Sequence, residues 1–254
     1  MNPNIRIIRY EECESSLWKN GSGSTKQLLI WPKGADLSNF DFRISIATIS
    51  SDGPFSLFHG IDRQLCILEG EGVKLHIKGN DLGQSEEIIL RPNDSPFCFS
   101  GETQIESKLL DKQILDFNVM TRRGKYHACI EQLKLDDLFS LEPTKTSRED
   151  NVHKLTNTQN NELQQWLLCL EPLNLVYKGQ TIQLKPYDML QYKHAKNSKK
   201  LTSELRFLRI KTSEAVQQKI KQTEVKDRYE ENDSQIKVLL IFLKNKEIKL
   251  LEST

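Results

Sequence analysis

The 254-residue chain has almost no net charge and no long apolar run, and its five cysteines and five histidines show no familiar spacing. Thirty-six basic side chains face 35 acidic ones, a formal charge of +1. Nucleic-acid binders usually carry a basic excess that releases counterions from phosphates, so nucleic acid is a poor expectation. No uninterrupted apolar segment approaches a bilayer's thickness, and the first residues, MNPNIR, lack a basic stretch leading into an apolar one. The expectation is a cytoplasmic protein with no membrane partner.

Cys13, Cys66, Cys98, Cys129 and Cys169 are odd in number and widely spread, without a C-x-x-C pair, which argues against a disulfide framework or a cysteine zinc site. Cys66, Cys98 and Cys169 sit in apolar runs, where cysteine acts as a small hydrophobe. His59, His76, His127, His153 and His194 form no H-x-H, H-x-x-H or H-E-x-x-H pattern, so neither metal nor cofactor is implied.

What is present is alternation. In FDFRISIATIS, residues 40 to 50, Phe40, Phe42, Ile44 and Ile46 share one face, while Asp41, Arg43, Ser45 and Ala47 share the other. In a barrel, a polar row of this kind turned inward makes a ligand cavity, with Arg43 and Ser45 lining it. Many further short strands punctuated by Gly, Pro, Asp and Asn predict an all-β barrel or sandwich.

The polar stretch 143–161 reads as a linker between two β-rich parts. Residues 213–232 lack Gly and Pro and suit a helix, and the run from Ile236 to Leu243 reads as a buried strand or helix. That run has to pack on the barrel or on a second copy of the chain, since exposed it would aggregate.

Several constellations invite chemistry. The segment Gly21-Ser22-Gly23-Ser24-Thr25-Lys26 lacks Walker spacing and leads into a strand, so it either cradles a carboxylate or is a plain turn. Ser56, His59 and Asp62 fall in one short turn-prone segment without a nucleophile elbow. Arg43, Arg63, Arg122 and Arg123 are suited to fork a carboxylate if they face a polar interior, though a surface ion pair is the commoner fate of arginine.

Four ordered motifs then carry a resemblance. They are Trp18-Lys19-Asn20-Gly21-Ser22-Gly23-Ser24-Thr25, the segment FDFRISIATISSDGPFSLFHGIDR at 40–63, Phe97-Cys98-Phe99-Ser100-Gly101, and Asp116 through Gly124 (DFNVMTRRG). Together they resemble the HutD/Ves family over most of residues 7–211. The resemblance implies a bicupin, two double-stranded β-helix barrels over residues 1–211, followed by a short α/β C-terminal extension at 212–254. It also implies the absence of the metal-cupin ligand set. Two departures stand out: His59 replaces a common proline, and the chain continues past Lys211 beyond the usual length.

Carried over residue by residue, the ligand-binding candidates are Asn20, Thr25, Arg43, Ser45, Ser56, His59, Arg63, Asn118 and Arg122, walled by Trp18, Phe42, Phe55 and Met120. Asp116 and Arg123 can pair with each other. The resemblance implies a non-enzymatic protein that binds a small carboxylate such as N-formylglutamate, regulating histidine utilisation or a stress response. The alternative is a metal-independent isomerase or hydrolase with His59 or His76 as base. A homodimer is a further expectation for the extended tail.

Overall fold

The computed structural model describes residues 5–19, 21–79, 85–134, 163–177, 180–192, 209–210 and 237–245. The regular structure begins with β1 (Ile5–Ile8), a 3-10 turn (Tyr10–Glu12), β2 (Ser15–Leu17), β3 (Gly23–Trp31) and β4 (Phe42–Ile49). There follow β5 (Gly53–Pro54), β6 (Ile61–Glu69), β7 (Val73–Ile77), β8 (Glu86–Leu90) and β9 (Phe97–Ser100). Then come β10 (Ile105–Leu109), β11 (Ile114–Arg122), β12 (Tyr126–Lys134), β13 (Leu163–Cys169) and β14 (Leu173–Tyr177). The last are β15 (Gln180–Leu184), β16 (Met189–Tyr192), β17 (Arg209–Ile210) and β18 (Lys237–Asn245). Among the described residues there is no α-helix, and no helix long and apolar enough to cross a membrane.

The chain divides into two compact units. The larger centres on Glu11–Glu131. Its six-stranded sheet runs β2-β3-β4-β11-β6-β9 and its four-stranded sheet β5-β10-β7-β8. One apolar cluster joins the two faces: Ala47, Ile49, Leu65, Ile67 and Ile114 from the first sheet pack with Val73, Leu75, Leu90 and Ile105 from the second. Two antiparallel sheets closed over a shared core in this way make a jelly-roll barrel, the architecture to which cupins belong. A smaller cluster of Phe40, Ile61 and Met120, with Phe58 packed on it, closes one end.

The alternation in residues 40–50 is realised from Phe42 onward, whereas Phe40 precedes β4 and packs with Ile61 and Met120 instead. Phe42, Ile44 and Ile46 are buried on one face of β4, where the Phe42 ring stacks near Trp31 and meets Tyr126 edge-on, centroids 5.0 Å apart. The other face turns into the barrel.

In the smaller unit, β16 pairs antiparallel with β1 and with β13, and β14 pairs with β15 and β17. Asp188, almost fully buried, is satisfied there by Arg9 Nη1 at 2.6 Å and by the backbone N–H groups of Tyr10 and Lys185, each at 3.0 Å. The apolar run near the C-terminus is the strand β18, whose Val238 and Leu239 fall in this unit and are buried. The linker at 143–161 and the helix expected at 213–232 lie outside the described residues. The chain is thus all-β and cupin-like.

Candidate functional site

Three strands of the six-stranded sheet supply the floor of a cavity of about 600 Å³ in the larger unit. Pairing register sets the floor in rows. One row brings Arg43, Met120 and Arg63 abreast on β4, β11 and β6; the next aligns Ser45, Asn118 and Leu65, and the third aligns Thr25, Ala47, Asp116 and Ile67. Since side chains two residues apart share a face, Arg43, Ser45 and Ala47 point into the cavity together with Asp116, Asn118 and Met120.

Arg63 is only 8% exposed. Its guanidinium carbon lies 4.7 Å from the Phe99 ring centroid, 5.4 Å from that of Phe55 and 5.6 Å from that of Phe58. Such cation–π contacts contribute about 0.5–2 kcal/mol each, depending on desolvation, and offset part of what burial removes. Burial nevertheless pulls the Arg63 pKa down to about 10, against the field of Asp116. Its Nη1 donates to the Ser56 carbonyl at 3.2 Å, while Nε has no acceptor among the described residues. Arg43, pulled down by burial in the same way, donates from Nε to Gln27 Oε1 at 3.0 Å and from Nη1 to Ser45 Oγ at 3.2 Å.

Asn118 Oδ1 is the complement, a buried acceptor with no donor among the described residues. Asp116 is 5% exposed, accepts from the Ala47 N–H at 3.2 Å, and makes no hydrogen bond to either arginine. Burial lifts its pKa to about 7, opposed by Arg63, the Ala47 N–H and Arg43. An open donor, an open acceptor and a carboxylate close to neutrality share one wall, the usual signature of a binding site.

The hairpin between β2 and β3 forms another side. The Trp18 N–H and C=O bond to the Gly23 carbonyl (2.9 Å) and the Gly21 N–H (3.0 Å), and Trp18 Nε1 donates to Thr25 Oγ1 at 2.8 Å. The glycine-rich segment is therefore a hairpin turn, with Trp18, Lys19, Ser22 and Thr25 on the lining. Gly23 has to be glycine for space, because a Cβ there would fall 2.4 Å from the Thr48 carbonyl oxygen and 3.2 Å from the Trp18 ring.

Of the residues expected from sequence, Thr25, Arg43, Ser45, Ser56, Arg63 and Asn118 line the cavity, as do Trp18, Phe55 and Met120. Phe42 instead faces the packed side of β4. His59 is exposed and off the lining, and His76 sits on the outer face of β7 with Nδ1 3.8 Å from Glu87. Arg122 also stays outside: its Nε and Nη2 clamp the Phe40 carbonyl at 2.9 and 2.7 Å, with Asp41 at 3.6 Å. Asn20 lies outside the described residues.

Asp116 and Arg123 do not pair. Arg123 binds Asp62 at 2.8 Å and Glu102 at 2.9 Å, and Glu102 also accepts from Ser100 and the Gly60 N–H, so Arg123 and these bonds hold the Glu102 carboxyl well below its usual range. This cluster staples the turn between Phe58 and β6. Asp116 was the cavity residue that sequence reasoning missed, although its alternation with Asn118 and Met120 in ILDFNVMTR carried the signal. Leu17 and Leu37, 84% and 54% exposed, are lining residues that no pattern marked. Among the described residues, no group of three or more His, Cys, Asp or Glu side chains is placed to hold a metal ion.

A family model described as HutD matches residues 10–208. An uncharacterised 21.2 kDa protein in the hutC 3' region of Pseudomonas putida is 35% identical over 127 residues, 50% of this chain and 63% of that protein. Protein Ves of Cronobacter sakazakii is 34% identical over 123 residues, 48% of this chain and 61% of that protein. The chain thus spans about three fifths of the length of these curated relatives.

Among solved structures, the conserved protein of unknown function PA5104 from Pseudomonas aeruginosa PAO1 superposes with a TM-score of 0.60 at 21% identity, covering 94% of this chain and 98% of that one. HutD from Pseudomonas fluorescens SBW25, described from a formate condition, gives 0.57 at 20% identity over 95% and 98%. At such identities these two likenesses bear on the fold.

Proposed function

The chain belongs to the HutD family, and from that premise we propose that it is a receptor for a small carboxylate, held in the cavity of the larger unit without being transformed. The observation that carries this reading is the arginine row, above all Arg63, a buried guanidinium on the lining of a cavity of about 600 Å³ whose Nε has no acceptor among the described residues. A guanidinium is removed from water only where something repays the desolvation. The three phenyl rings do so in part, and a ligand carboxylate that reaches the guanidinium supplies the remainder through charge-assisted hydrogen bonds.

Asn118 narrows the class. Its unpartnered Oδ1 asks for a ligand N–H, so the preferred ligand carries an amide next to its carboxylate, as N-formyl-L-glutamate does. A role in histidine utilisation or in a stress response is part of this proposal and stands or falls with the ligand. The alternative of a histidine base has no group placed for it, since neither His59 nor His76 lines the cavity.

Calorimetric titration of the metal-free protein with N-formyl-L-glutamate, glutamate, urocanate and formate tests the reading. Micromolar binding of the formyl compound, with the ligand recovered unchanged, is the expected result. No heat from any of the four, or conversion of the ligand, contradicts it.

A further inference from the structure

Resting on that receptor reading, we propose that Asp116 sets which carboxylates the cavity accepts, by taking up a proton from solvent as a dicarboxylate enters. The geometry starts with the rows of the floor. Asp116 lies two rows from Arg43 and Arg63 along the same face, with Asn118 between, and neither arginine touches it. Its charge is therefore steadied by their field across the cavity and by one backbone N–H, not by a contact ion pair.

A ligand carboxylate that settles on Arg43 and Arg63 claims that field for itself. It also adds a second negative charge to the cavity. Both changes favour the neutral acid. The charged groups on the lining, among the described residues, are Arg43, Arg63, Asp116 and Lys19 at the mouth. Among the described residues Asp116 also acts on the Cys66 thiol on β6, which burial and neighbouring charges push up to about 12, so it stays protonated.

With Asp116 ionised, the two arginines and the aspartate sum to one positive charge, which suits a monoanion. With Asp116 protonated they sum to two, which suits a dianion. Because burial already places Asp116 near neutrality in the empty cavity, the uptake requires only a further modest rise on binding. Protonated, Asp116 also gains an O–H that can donate to a ligand oxygen, which the ionised form cannot do.

The sign is definite. Below pH 7 the empty protein already holds the proton and binding exchanges little; above pH 7 each ligand bound takes up close to one proton, so affinity falls about tenfold per pH unit. N-formyl-L-glutamate itself titrates nothing between pH 6 and 8, so the exchanged proton reports on the protein.

The test is calorimetry of N-formyl-L-glutamate binding at pH 6 and pH 8, in two buffers of different ionisation enthalpy, on the full chain and on Asp116→Asn. The wild-type protein should take up about one proton per ligand at pH 8, little at pH 6, and bind about tenfold or more weakly at the higher pH. Asp116→Asn, which keeps the acceptor for Ala47, should show no uptake and the same affinity at both values. Binding without proton exchange, or uptake that persists in Asp116→Asn, overturns this inference alone. Absence of binding at both pH values overturns the receptor reading and this inference with it.

Discussion

At the scale of single residues, burial of ionisable groups is what distinguishes this cavity from ordinary surface. Asp116 is a sharp case, because its carboxyl is pushed up to about 7 from an ordinary value of 3.8. Between those two values the folded state holds a proton that the unfolded chain has released, so stability is highest below pH 4 on this account and declines as pH rises towards 7. The shift corresponds to roughly 4 kcal/mol at about 1.4 kcal/mol per unit. Asp116→Asn removes the penalty of ionising this buried group. Melting curves of the two proteins should therefore diverge in favour of the variant from pH 4 to pH 7 and run parallel above it; a constant gap would contradict the burial account. Glu102 works in the opposite sense, since a carboxyl held low by Arg123 contributes stability that is lost on acidification.

Legibility differed from one residue to the next for physical reasons. Arg43 and Ser45 were readable because strict alternation in residues 40–50 assigns faces without knowledge of the partner strands. Arg63 and Arg122 are the same residue type, each near the end of one of the family-like motifs, yet one enters the barrel and the other clamps the Phe40 carbonyl. Only pairing register separates them. Phe42 was misplaced on the wall although its own alternation with Arg43 puts it on the opposite side.

At the scale of elements, the rows across β4, β11 and β6 and the hairpin between β2 and β3 build the site. The hairpin depends on close approach at Gly23, where a methyl group would strike the Thr48 backbone carbonyl. A backbone atom cannot swing aside, so β3 and β4 would have to separate and Trp18 would lose its seat. Gly23→Ala should destabilise the protein by roughly 1–3 kcal/mol, the usual penalty of overpacking, with weaker ligand binding and a shifted tryptophan emission. An unchanged melting temperature would show that the hairpin is not packed this tightly.

The strands themselves were largely legible from alternation and turn residues, because half-buried antiparallel sheets write their two faces into the sequence. The run from Ile236 to Leu243 was readable only as apolar, and its assignment to β18 needed the structure, since periodicity fails when successive residues are buried. Strand order was not legible at all. It depends on which edges meet across long intervening segments, as where β11 inserts between β4 and β6.

At the scale of the whole molecule, a formal charge of +1 means that no long-range field draws a small anion towards this protein. Recognition rests on local charge in the cavity. Arg63 is buried and Arg43 half-buried, so affinity for a carboxylate should fall less steeply with added salt than binding at fully exposed charges does.

The most direct test of the central claim, that the cavity arginines hold a carboxylate, is the dissociation constant of N-formyl-L-glutamate for the wild type and for Arg63→Ala, measured side by side at pH 6.5 on samples whose melting curves confirm folding. Loss of a charge-assisted contact of about 1.5–3 kcal/mol corresponds to a Kd raised by about ten- to a hundred-fold or more, and the account expects a change of that size. Equal affinity in the two proteins would place the ligand elsewhere and contradict it.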